Sequence, residues 1–239
     1  MTHDHATVAE EEYLQIIYWL QEAGLAITGA NIARAMQVSA PTVHEMIGRL
    51  EGDGYVTRAT NKSLEFTASG HDHASQIVRR HRLIERFLTD VFDIPWDQVH
   101  EEAERLEHWM SPVVEERMLQ AIGDSKTCPH GHPIFEGERE QGVPLADVEE
   151  GASVRVLRFE NEAEDLLHYL KHTGLTPGLR GTLHEAGPEE IVLDGDGDGS
   201  RYSVTRSVAE TVSVVADPSP APRVALPDQL VLGKERYGR

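Results

Sequence analysis

The chain has a single cysteine, Cys128, and only four lysines, at positions 62, 126, 171 and 234, in 239 residues. One thiol excludes an internal disulfide framework and suits a reducing, cytoplasmic setting. No run of about 18 apolar residues occurs, so no membrane-spanning helix is expected. Met1-Thr-His-Asp-His carries no basic region followed by an apolar core, so no signal peptide is expected either. Lysine is scarce while arginine is plentiful, and Asp and Glu are spread throughout, giving a formal net charge of -19. That composition resembles halophilic proteins, whose solvated acidic surface keeps them dissolved in concentrated salt. An acidic chain is ordinarily a poor partner for phosphate. At 1 M salt, however, the Debye length is only about 3 Å, and the repulsion is screened. The charge therefore reports on habitat more than on partner.

Apolar spacing organises the N-terminal third. Tyr13, Ile16, Ile17 and Leu20 recur at helical intervals between Glu10 and Glu22, and Gly24 ends the pattern. Thr28 caps a short helix over Gly29 to Met36. After the turn Gln37-Val38-Ser39, Ser39 caps a further helix with Pro41 in its first turn, ending at Gly52-Asp-Gly54. Tyr55 to Arg58 and Ser63 to Thr67, about a turn at Thr60-Asn-Lys62, read as a hairpin. Helix, short helix, turn, helix and hairpin is the order of a winged helix-turn-helix, expected over residues 1–70. The second helix of the pair would enter the major groove. Its N-terminal face offers Ser39, Pro41, Thr42, His44 and Glu45 to bases, with Arg49, Arg58 and Lys62 placed for phosphates.

Residues 71–136 read as helical, broken at Pro95 and Pro112. Two segments there carry chemistry. His81 and Glu85 are four apart. In His100-Glu-Glu-Ala-Glu104-Arg-Leu-Glu107-His108, positions 100, 104, 107 and 108 share one helical face. Facing imidazoles and carboxylates without thiolate suit Mn(II) or Fe(II), with Zn(II) competing by raw affinity. Glu12 is a candidate extra oxygen ligand. A metal site joined to a DNA reader points to a metal-controlled transcription factor, and a palindromic operator would require a homodimer.

Cys128-Pro-His130-Gly-His132 reads as an irregular connector, with Cys128 and His130 as possible further ligands; His3 and His5 are adventitious ones. Residues 137–151 read as a polar linker. Five short strands and the helix Glu162 to His172 form a small β-barrel over 152–216, and a Pro-rich tail expected to be disordered follows over 217–239. Asp194-Gly-Asp196-Gly-Asp198-Gly199 imitates the start of a calcium loop. Its twelfth position is Thr205 where an acid is required, so it reads as an acidic hairpin turn.

At these residues the chain resembles the DtxR/MntR family of metal-dependent transcriptional repressors. Glu12-Tyr-Leu-Gln-Ile-Ile-Tyr18, Ser39-Ala-Pro-Thr42-Val, His81-Arg-Leu-Ile-Glu85, His100 to His108 and Cys128-Pro-His-Gly131 carry the resemblance, which spans roughly residues 10 to 215. It implies a mainly α chain with a small β part: a winged-helix reader, a helical metal and dimerisation domain, and a C-terminal SH3-like (FeoA-type) domain. It also implies a primary site of Glu12, Glu104, Glu107 and His108 with His81 nearby or bridging. An ancillary site would use His81, Glu85 and His100, completed by Glu162, Glu164 or Asp165, among which spacing does not choose. Iron-responsive members tend to have Met and Cys where Glu12 and Glu104 stand, so the all-oxygen pattern favours Mn(II) over Fe(II). Manganese sensors often carry a further Glu where this chain has Gln15, and many lack the third domain.

Two rival classes remain. A metalloenzyme would use similar ligands, but no nucleophile motif or phosphate-cradling loop accompanies them, and no enzyme activity is expected. A winged-helix regulator answering to an organic ligand would leave the clusters as surface. The sequence favours a repressor of metal-uptake genes with no small organic substrate.

Overall fold

A computed structural model of the chain describes residues 6–59, 63–197 and 199–217. The first helix, α1 (Val8–Glu22), starts two residues before the expected Glu10. Thr7 accepts from the Glu10 N–H, and the Glu10 carboxylate accepts from the Thr7 N–H. That reciprocal cap satisfies two of the amides a helix start leaves orphaned. Thr28 and Ser39 cap α2 (Gly29–Met36) and α3 (Ala40–Gly52) as the sequence implies. Strands β1 (Val56–Arg58) and β2 (Leu64–Phe66) pair antiparallel into the wing, with Thr57 opposite Glu65. Leu14, Ile17, Ile32, Val43, Leu50, Val56 and Leu64 close one core beneath these elements. The Leu64 N–H donates to the Ile27 carbonyl at 2.8 Å, which fixes the wing to the loop between α1 and α2. The wing turn at 60–62, including Lys62, lies outside the described residues, as do His3 and His5.

Helix α4 (Ala68–Phe92) has 25 residues and is about 37 Å long at 1.5 Å per residue. Its first half packs Ala74 and Val78 into the winged-helix core. Its second half packs Ile84 and Leu88 against Val99 and Ala103 of α5 (Val99–Leu106). The α-helix does not continue through the metal motif. Glu107–Trp109 forms a 3-10 turn before α6 (Pro112–Ile122). Pro112 begins α6, and Met110 and Ser111 are extended, so the chain must leave the α conformation ahead of the proline. The expected single face of His100, Glu104, Glu107 and His108 is thus re-aimed at its C-terminal end.

Strand β3 (Val143–Pro144) lies inside the stretch read as a polar linker; its apolar residues are spaced too irregularly to announce a strand. With β4 (Ser153–Phe159), β5 (Arg180–Ala186), β6 (Glu190–Gly195), β7 (Arg201–Thr205) and β8 (Val212–Asp217) it forms an antiparallel sheet ordered β3-β8-β4-β5-β6-β7. Register shifts in β4 and β5 add the local twist that coils a small sheet around its core. Helices α7 (Glu164–Thr173) and α8 (Arg206–Ala209) cover that core, built from Leu145, Val156, Phe159, Leu167, Leu170, Leu183, Ile191 and Val212. The acidic turn joins β6 to β7, and Asp194 there pairs with Arg201 at 2.8 Å and His184 at 2.9 Å; Asp198 and the tail beyond Asp217 lie outside the described residues. Among the described residues no helix is long and apolar enough to cross a membrane.

Gly70 shows how tightly α4 docks on the reader. A Cβ there would lie 1.8 Å from the Tyr55 carbonyl oxygen, and Thr67 donates its hydroxyl to the Gly54 carbonyl at 2.6 Å in the same corner. Gly70→Ala is expected to destabilise the fold by about 1–3 kcal/mol, the usual cost of overpacking. Thermal melting should show the loss, and Gln76→Ala, at an exposed site on the same helix, should not.

Candidate metal centre and DNA-reading surface

Four segments converge on one buried cluster. Helix α4 supplies His81 and Glu85, one turn apart and 1 % and 0 % exposed. His81 Nε2 is 3.0 Å from Glu85 Oε1, and His100 Nδ1 of α5 is 3.1 Å from the same oxygen. Glu162, from the loop between β4 and α7, reaches His100 Nδ1 at 3.0 Å. The ligand atoms of His81, Glu85, His100 and Glu162 all lie within 4.8 Å of one another. A second group, Glu85, Cys128, His130 and Glu162, meets the same criterion and shares both carboxylates. Gly131 makes this approach possible: at φ +95° its missing Cβ would fall 2.0 Å from the Leu157 carbonyl oxygen. The connector therefore presses directly on β4. His130 accepts there from the Phe159 N–H through its carbonyl at 3.0 Å and donates Nε2–H to the Trp96 carbonyl at 2.7 Å.

The second pocket lies on the other side of His81. Its Nδ1 is 2.6 Å from Glu107 Oε2, which also accepts from Gln15 Nε2 at 3.2 Å. Gln15 thus acts as a donor to Glu107, which is why an amide can stand where a ligating carboxylate would otherwise be. His108 Nε2 is 3.4 Å from Glu107 Oε1, and its Nδ1 is 2.6 Å from Glu11 Oε2. Glu104 lies 3.8 Å from His100 Nε2. Glu12 is half-buried and close enough to His108 to help raise its pKa. Glu11, 8 % exposed, is the residue the sequence did not single out, because an adjacent acid on a helix points about 100° away from its neighbour. It also accepts from His73 at 3.0 Å.

These donors fit a divalent cation. Glu85 Oε2, Glu104 Oε1, Glu107 Oε1, His100 Nε2 and His130 Nδ1 are buried without a hydrogen-bond partner. Buried polar atoms are seldom left so, and the three carboxylate oxygens among them suit a further positive partner. Asp165, by contrast, is exposed and accepts from the Leu166 N–H at 3.0 Å, at the start of α7. Glu164 is exposed as well, so of the three acids weighed for the ancillary site only Glu162 joins it.

Titration follows the packing. Burial would lift the Glu11 carboxyl, but hydrogen bonds from His108 and His73 overcome it and bring the pKa to about 2. Burial would depress His100, yet Glu162 and Glu85 raise it to about 9. His81 and His130 are likewise raised by their carboxylates against the effect of burial. His132 goes the other way, to about 4, because burial dominates its contact with Glu162. Burial, with Glu85 beside it, lifts the Cys128 thiol to about 11, so only a metal would make it a thiolate at neutral pH.

The reading helix presents Ser39, Pro41, Thr42, His44 and Glu45 to solvent. The Ser39 hydroxyl is engaged in the cap, accepting from the Thr42 N–H. The two described arginines expected at phosphates are each paired within the chain. Arg49 donates to Glu10 at 2.8 Å, and Arg58 donates to both oxygens of Glu51 at 2.8 and 3.1 Å.

The shifts predict a stability maximum in the absence of metal. The His100 contribution is complete below about 6.5 and disappears as pH rises through about 9; that of Glu11 is complete above about 4.5 and disappears toward about 2. Melting temperature under chelator should therefore be highest near pH 6.5 and fall on both sides, because His132, held at about 4, withdraws its contribution as pH drops below about 6.5. His100→Asn should flatten the alkaline limb.

The iron dependent repressor, N-terminal DNA binding domain, matches residues 5–64; the iron dependent repressor, metal binding and dimerisation domain, matches residues 67–136; and the FeoA domain matches residues 143–216. The iron-dependent repressor IdeR of Mycobacterium leprae is 35 % identical over 199 residues, covering 77 % of this chain and 86 % of its own. The diphtheria toxin repressor of Corynebacterium diphtheriae is 42 % identical over 137 residues, covering 57 % and 60 %. Among solved structures, a manganese-dependent transcriptional repressor in complex with manganese superposes with a TM-score of 0.78 at 28 % identity, over 87 % of this chain and 99 % of that one. The manganese regulator SloR gives 0.70 at 33 % identity, over 86 % and 97 %. The chain belongs to the DtxR/MntR family of metal-dependent transcriptional repressors.

Proposed function

We propose that the chain is a manganese-responsive repressor that binds a palindromic operator as a homodimer and silences metal-uptake genes when Mn(II) is abundant. What supports this is the pair of carboxylate oxygens, one from Glu104 and one from Glu107, that are buried without hydrogen bonds, with the His108 imidazole beside Glu107. With Glu12, these side chains would offer oxygen and nitrogen but no sulfur. Oxygen with imidazole suits a hard to borderline ion such as Mn(II). The cluster of Glu85 and Glu162, with His81 and His100 or with Cys128 and His130, would hold a second ion. That ion would tie the C-terminal unit to the helices, since Glu162 is its contribution. Fe(II) is the second reading, favoured by the thiol of Cys128 and by the iron-dependent relatives.

DNA would meet the exposed start of α3 in the major groove and exchange with Glu10 and Glu51 for Arg49 and Arg58. Leu106, Trp109, Val113 and Val114, at 45, 81, 67 and 44 % exposure, form an apolar face beside the pocket, where a second copy would pack. Two readers so joined read two half-sites at fixed spacing.

Titration of Mn(II), anaerobic Fe(II) and Zn(II) against operator fragments in concentrated salt tests the main reading. Sequence-selective binding should appear with Mn(II) and vanish in Glu104→Ala/His108→Ala; equal binding without metal would sink it. Trp109→Asp places a charge in the apolar face and should yield monomers by light scattering. A variant that stays dimeric would show that the face lies elsewhere.

A further inference from the structure

Near its start α1 carries three consecutive carboxylates, Glu10, Glu11 and Glu12, about 100° apart around the axis, and they serve two different bodies. Glu12 is half-buried, with its charge close enough to act on His108. Glu11 grips His108 Nδ1 at 2.6 Å and His73 at 3.0 Å. Glu10 turns to the DNA reader: its Oε2 accepts from the Thr7 N–H at 2.7 Å and from the Thr7 hydroxyl at 2.9 Å, while its Oε1 accepts from Arg49 Nη2 at 2.8 Å. The Glu10 side chain is 6 % exposed and that of Arg49 is 50 % exposed. One helical turn thus links the metal pocket to the reading helix through side chains on successive residues.

Arg49 cannot neutralise a phosphate while fully committed to Glu10, and Glu10 itself repels phosphate. Metal changes that balance. A dication held by Glu12, Glu104, Glu107 and His108 places two positive charges next to this turn. Their field offsets the charge of Glu10 and weakens its hold on Arg49. Because Glu10 is mostly buried, solvent screens this effect less than it would between two surface groups.

We propose that the Glu10–Arg49 ion pair delivers metal occupancy to DNA: Glu10 competes with phosphate for Arg49, and filling the adjacent pocket shifts that competition toward phosphate. The inference rests on the pocket being the metal sensor. Linkage makes the coupling reciprocal, so operator DNA strengthens Mn(II) binding by the same factor.

Glu10→Gln isolates the effect, because glutamine also serves in this type of helix cap while the charge is lost. The full chain is compared with the variant in Mn(II) affinity by paramagnetic resonance, in operator affinity with Mn(II) or chelator, and in the salt dependence of operator binding. Mn(II) affinity of the free protein should fall by no more than the coupling removed, about fivefold. Operator affinity without metal should rise, and the gain produced by Mn(II) should shrink by about fivefold or more. The metal-free salt slope should steepen by about 0.9, the increment for one added phosphate contact. Arg49→Ala, at a half-exposed site that does not threaten folding, should abolish the effect of Glu10→Gln when the two are combined. An unchanged Mn(II) gain and slope overturn the proposal, and so does a loss of Mn(II) affinity of about a hundredfold or more, which would place Glu10 in the pocket itself. A wild-type chain that binds operator equally with and without metal would overturn the sensing reading, and the proposal with it.

Discussion

The imidazole of His81 is the interaction on which the interior of this protein depends. Its Nδ1 faces Glu107 at 2.6 Å and its Nε2 faces Glu85 at 3.0 Å, so one ring separates the two pockets and belongs to both. The alternation continues outward, through Glu85 to His100 and His130 and then through Glu162 to His132. Buried charges are tolerated only when paired, and removing one partner typically costs about 3–5 kcal/mol. The helices α1, α4 and α5 and the C-terminal unit are therefore held at one mutual arrangement by a polar core as much as by apolar packing. A ligand that replaces protons in that core acts on all of them together.

The same arrangement explains why the third unit belongs to the site. Glu162 brings one of the two carboxylates that both ligand groups share, and Gly131 lets the connector lie against β4 closely enough to present Cys128 and His130. Around this contact, Glu160 pairs with Arg139 and Arg158, each at 2.7 Å, while Arg82 of α4 pairs with Glu22 of α1. Lys171 of α7 pairs with the buried Asp97. The C-terminal sheet is thus wired to the helical centre through ions rather than through a continuous apolar seam.

For an acidic chain that must meet DNA, pairing its reading-face arginines internally has a consequence. It keeps cations on that face without offering them to any passing polyanion. The discrimination between bound and unbound states then lies in which carboxylates release their partners. In concentrated salt, where long-range attraction to phosphate is weak, short-range exchange of this kind carries more of the electrostatics.

The sequence by itself determined the winged-helix order, the caps at Thr28 and Ser39, the helical centre and the identity of most ligand candidates. Those features are local: apolar spacing, N-cap chemistry and residues four apart on one helix are visible along the chain. Only the tertiary structure decided that Glu11 rather than Glu12 holds His108 Nδ1, and that Gln15 donates to Glu107. It also chose Glu162 over Glu164 and Asp165, and re-aimed Glu107 and His108 through a 3-10 turn. Each of these depends on partners remote in sequence, or on the chain leaving the α conformation ahead of a proline. Neither leaves a period in the sequence, because which of several adjacent acids meets an imidazole is set by how separate elements pack.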